Sequence, residues 1–147
     1  MKFRKSLLAA GLLLLSSAVQ AGPYSDALSE CLVGKSTMDD HVVFVQWMFA
    51  AMSRHPAVAS MATVSDAQFD LANKRMAELY TRLLTVTCRD QAKAAIKNEG
   101  EFALSQSFQA LGQVAGRELF INPDVLKGLS GMSKYFDRAK FDELKSP

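Results

Sequence analysis

Between Val42 and Met52 the chain carries a single polar side chain, Gln46. At about 100° per residue, the apolar groups of this stretch cover every direction around a helix. Such a helix has no wet face and is expected to be surrounded by protein. It is too short to cross a bilayer, which takes roughly 20 residues. Val42, Val43, Phe44 and Val45 would also suit a buried strand. The acidic start at Asp39 and Asp40 and the Ala50-Ala51-Met52 continuation favour a helix over residues 39–54. His55-Pro56 ends it, because the residue before a proline resists the α region. Phe44, Val45, Met48 and Met52 are therefore the expected core.

The rest of the chain is punctuated as helices. Ser25 is placed to cap a short helix that carries Ala27, Leu28, Cys31 and Leu32, with Gly34 as its left-handed terminator. Ser36 or Thr37 caps the helix that follows. Residues 57–64 read as a connector of small side chains. Ser65 and Gln68 form a capping-box pattern, and the next helix runs to about Cys88. Its stripe is Phe69, Ala72, Met76, Leu79, Tyr80 and Leu83. Asp70/Lys74 and Glu78/Arg82 are spaced for i,i+4 pairs on its wet side. Gly100 breaks the run after residues 88–98. Residues 101–119 place Leu104, Phe108, Leu111, Ala115 and Leu119 on one face, with Gly112 and Gly116 beside it for close approach of a neighbour. Asn122-Pro123 starts a last helix or pair, with Val125, Leu126, Leu129, Met132, Tyr135, Phe136, Phe141 and Leu144 as its apolar set. The expected fold is all-α. Residues 22–147 form one compact bundle of five to seven helices around the 39–54 helix.

Residues 1–21 have the three parts of a secretory signal: basic Lys2, Arg4 and Lys5, an apolar run, and small residues up to Ala21. Cleavage after Ala21 would leave 14 basic and 15 acidic residues, out of 17 and 15, and a charge near −1. That balance argues against nucleic acid as a partner and, once the signal is gone, against an anionic membrane. The expected location is periplasmic or secreted. There an isolated cysteine pair is most simply a disulfide, so Cys31 and Cys88 should be joined across 57 positions.

Little in the chain points to chemistry. There is no H-E-x-x-H, G-x-S-x-G, Walker glycine loop or C-x-x-C. No catalytic residue is assigned and no cofactor is expected. Two constellations still merit testing. His41 beside Asp39 or Asp40 could be poised as a base. Met48, Met52 and His55 fall at i, i+4 and i+7, and thioether sulfur with imidazole suits Cu(I). The bland alternatives are capping for the first and core filling for the second.

The stretches CLVGKST, VQWMFAAMSRHP and LGQVAGRELF resemble those of small exported proteins of Gram-negative bacteria to which no function is attached. The resemblance implies export and no mechanism. The expected function is non-catalytic binding of another protein or a small apolar ligand, as an inhibitor or immunity-type partner would do. The alternatives are an enzyme built on His41 and a copper carrier built on Met48, Met52 and His55.

Overall fold

The structure, a computed structural model, describes residues 22–145. The expected signal and its cleavage site lie outside that range. The chain folds as α1 (Pro23–Lys35), α2 (Met38–Met52), α3 (Asp66–Arg82), α4 (Arg89–Glu99), α5 (Phe102–Ile121), α6 (Pro123–Ser130) and α7 (Arg138–Glu143). A π-helical turn, Leu83–Thr87, extends α3, and a 3₁₀ turn, Gly131–Tyr135, follows α6. The fold is all-α, and no strand occurs among the described residues.

Most helix starts are where their capping side chains put them. Thr37 and Asp40 form a capping box on α2, Ser65 and Gln68 form one on α3, and the Asn122 side chain caps α6 ahead of Pro123. α1 begins differently. Its N-cap is Gly22, which has no side chain to offer, and Ser25 lies inside the helix and is buried. The carboxylate of Glu99, at the end of α4, supplies the cap. It accepts from the backbone N–H groups of Tyr24 (2.9 Å) and Ser25 (2.8 Å) and from the Ser25 hydroxyl. Gly34 is helical rather than left-handed. The turn that does need a positive φ is at Gly100, φ 76°, between α4 and α5.

The core gathers Leu28 and Leu32 of α1, Phe44 of α2, Met76 and Leu79 of α3, Ala92 and Ala95 of α4, and Ala103, Leu111 and Ala115 of α5, with Leu83 and Cys88. α5 touches α1, α2 and α4, while α2 packs only against α3 and α5. The buried line of α5 runs Ala103, Ser107, Leu111, Ala115: Leu111 and Ala115 lie on the expected face, while in the first half Ala103 and Ser107 are buried beside the partly buried Leu104 and Phe108. Small side chains there let α1 and α4 come close. Phe108 packs against Phe44, Trp47 and Tyr80, with ring centroids 5.0–5.8 Å apart. Gly112 makes room for the Phe44 ring: a Cβ there would lie 2.8 Å from its Cζ. The polar tips of the cluster are satisfied by Trp47 Nε1 donating to Asn73 (3.0 Å) and Tyr80 OH to the Leu104 carbonyl (2.8 Å).

The disulfide is present, with the Cys31 and Cys88 Cα atoms 5.9 Å apart. The π turn explains how Cys88 reaches it. The inner line of α3 is Met76, Leu79, Leu83, and a regular helix would continue it at residues 86 or 87. Val86 is instead 72% exposed. The Cys88 N–H bonds five residues back to Leu83 O at 2.7 Å, which brings Cys88 inward in their place.

The bundle stops at α5. α6, the 3₁₀ turn and α7 bury no residue. Leu126, Leu129, Met132, Tyr135, Phe136, Phe141 and Leu144 are all exposed. α6 touches only the end of α5 and the 3₁₀ turn, and α7 packs on no other element. The expectation that residues 123–147 complete the bundle is therefore corrected for the described residues: 123–145 form an arm.

Candidate functional site

α2 has two neighbours, and two neighbours cannot cover a helix that is apolar all round. The buried side carries His41, Phe44 and Ala50, with Val43, Trp47 and Met48 partly buried. The side left open carries Met38, Val42, Phe49 and Met52, each half exposed or more, with partly buried Val45 among them. These five residues recur at i, i+4, i+7, i+11 and i+14, so they form one ridge along the whole helix. The expectation that α2 is closed in on every side fails here. Met52 in particular is 51% exposed and is not core.

A groove flanks the ridge on each side. The one between α2 and α3 has a volume of about 380 Å³ and is lined by Val43, Phe49, Ala50, Leu71 and Ala72, with Gln46, Gln68 and Arg75 as polar groups. The one between α2 and α5 has about 220 Å³ and is lined by Met38, Val42, Val45, Ala115 and Leu119, with His41, Glu118 and Asn122 at its polar end. A ridge between two grooves is the surface one helix presents to another.

His41 is buried and held at both ring nitrogens. Nδ1 lies 2.6 Å from Glu118 Oε2 and Nε2 lies 2.7 Å from Ser36 Oγ. Ser36 Oγ also donates to Val33 O at 3.0 Å. The arrangement ties the α1–α2 corner to the end of α5. Neither Asp39 nor Asp40 is paired with the ring in it, and the expected His41–Asp pairing is corrected. Asp40 instead joins the Thr37 cap and receives Arg82 Nη2 at 2.7 Å. Burial alone would raise the Asp40 pKa. The Thr37 N–H and the Arg82 guanidinium outweigh it and hold the carboxyl below its ordinary value. Because Arg82 reaches across to α2, its expected partner Glu78 pairs with Lys74 instead, at 4.0 Å.

Met48, Met52 and His55 do not share a helix face. α2 ends at Met52, so His55 lies in the turn beyond it, where Nδ1 accepts from the Ala57 N–H at 3.2 Å. Met48 packs on the core while Met52 faces outward. Among the described residues no cluster of three or more His, Cys, Asp or Glu side chains is arranged to hold a metal. No described helix is long and apolar enough to cross a membrane.

Sequence reasoning missed Glu118 and Ser36 as partners of His41. Ser36 is five residues away, within reach of a corner. Glu118 is 77 positions distant, and nothing local marks it. The ridge was in view as residues but not as a surface, since periodicity cannot count a helix's neighbours. No protein-family model, no curated protein and no solved structure matches this chain.

Proposed function

We propose that this is an exported binding protein whose α2 ridge and flanking grooves dock an apolar helical segment of another protein. The observation that carries the reading is the exposed line Met38, Val42, Phe49, Met52, joined by the partly buried Val45, on a helix whose other side packs on the core. Exposed apolar patches of this size mark interaction surfaces. A helical partner would read the ridge at i, i+4, i+7 spacing. The Cys31–Cys88 bridge supports a periplasmic or secreted location, where it would persist. The test is capture from periplasmic extract on the immobilised mature protein, with identification by mass spectrometry. Retention of a specific protein should be lost in Phe49→Asp and kept in Lys97→Ala, a change on the distant α4. Equal retention by both variants would overturn the reading.

A second reading, catalysis, is favoured by the Ser36–His41–Glu118 chain of contacts, of which His41 and Glu118 line the α2–α5 groove. It predicts turnover of small activated esters that is abolished in both Ser36→Ala and His41→Ala. The docking reading predicts no turnover in any of the three proteins.

A further inference from the structure

The arm and the ridge are two apolar surfaces of one chain, and among the described residues no other element covers either. Leu126 and Leu129 of α6 are exposed three residues apart, the spacing of Val42/Val45 and Phe49/Met52 on α2, and Met132, Tyr135 and Phe136 continue the apolar run beyond the helix. Helices with stripes of matching spacing pack ridge into groove. Among the described residues, none that lines either groove of α2, apart from the hinge residue Asn122, lies in or next to the arm, so the arm does not fold back onto the ridge of its own copy. We propose that the occupant of the α2 ridge is the 123–145 arm of a second copy of this chain, given and received reciprocally in a two-fold dimer. The proposal rests on the docking reading above and names the partner of that same surface.

Area, charge and symmetry support it. Seven large apolar side chains of the arm are 45–80% exposed, and the three aromatics alone, at roughly 150–250 Å² each when whole, present on the order of 300 Å². A stable interface buries about 800 Å² per partner, and reciprocal exchange makes the contact twice. From residue 123 onward the chain has five basic and four acidic residues, while residues 22–122 have nine and eleven. Arm and body therefore carry opposite net charge, +1 against −2, and attract weakly across the interface. Reciprocal exchange about a two-fold axis closes at two, whereas the same arm-to-ridge contact passed from copy to copy would build a ring or filament, which sedimentation would show as species larger than a dimer.

The test uses the disulfide-bonded mature protein. Sedimentation across a concentration series should show a monomer–dimer equilibrium. Leu129→Asp/Met132→Asp in the arm and Val42→Asp/Phe49→Asp on the ridge should each raise the dimer dissociation constant by about tenfold or more. All four positions are exposed, and unchanged far-UV melting will show that the variants fold. The decisive step is mixing. The arm variant keeps an intact ridge and the ridge variant an intact arm, so an equimolar mixture should form a heterodimer through one restored contact, seen by native mass spectrometry with one variant isotope-labelled. A wild-type protein that is monomeric at every concentration overturns exchange. So does an arm variant that dimerises like wild type, which would mean that ridge meets ridge, and so does a mixture with no heterodimer. If exchange fails while Phe49→Asp still releases a captured protein, the docking reading survives alone. If Phe49→Asp changes neither readout, both fall.

Discussion

Gly112 and Gly116 look alike in sequence, one helical turn apart on α5, and should answer oppositely to the same substitution. A methyl on Gly112 meets the Phe44 ring, which Trp47 and Phe108 keep from swinging away. Gly112→Ala should lower stability in urea titration, since overpacking costs about 1–3 kcal/mol and exceeds the helix-propensity gain of about 1 kcal/mol. At Gly116 a Cβ meets nothing within 4 Å, so Gly116→Ala should stabilise by about 1 kcal/mol. Two carboxylates set the acid response. The Ser25 hydroxyl, with the Tyr24 and Ser25 N–H groups, outweighs desolvation and lowers Glu99 from its ordinary 4.5, and Asp40 is lowered from 3.8. A depressed folded pKa gives stabilisation that is complete above the ordinary value and lost as pH falls through the folded one. Asp40→Asn should therefore flatten the fall in melting temperature below about pH 3.8, and Glu99→Gln below about pH 4.5, each measured against wild type.

At the scale of elements, the π turn is the feature to test. It lets Leu83 be followed inward by Cys88, five residues on. Deleting exposed Val86 would replace it with an α-helical turn and leave the cysteine four residues from Leu83, on the same face. The deletion variant should still form its disulfide, shown by the absence of free thiols in mass mapping. Free thiols would mean that the wide turn itself aims the bridge. Much of the helical plan was legible because its signals are local: Thr37 with Asp40, Ser65 with Gln68, Asn122 before Pro123, and Gly100 as a break. The cysteine pair was legible because it had no alternative partner. What stayed hidden came from distant residues. Glu99 caps α1 from 74 positions away, Arg82 leaves Glu78 for Asp40, and Glu118 meets His41 from the far end of α5. Met52 was misplaced for a related reason. Apolar periodicity shows that a helix wants cover, and only the packing shows that α3 and α5 leave one side of α2 open.

Over the whole molecule, the bundle and the arm should be separable. The described part of the arm buries no residue and joins the bundle only through the end of α5. A chain ending at Asn122 should therefore keep the urea midpoint of the full-length protein, measured where both are monomeric. A midpoint drop worth more than about 1 kcal/mol would show that the arm supports the bundle. Within the bundle, neighbours in space are not always neighbours in sequence. α2 and α3 are consecutive and can pair as soon as both exist. α1, the first described helix, packs on α4 and α5, is capped by Glu99 and is bridged to Cys88. Its loops close over long stretches, which delays its docking. During vectorial synthesis, then, α1 precedes every other described helix and is among the last to find its place. Until residue 88 has followed it, Cys31 has no partner thiol, and until α4 and α5 have followed, Leu28 and Leu32 have no core to enter.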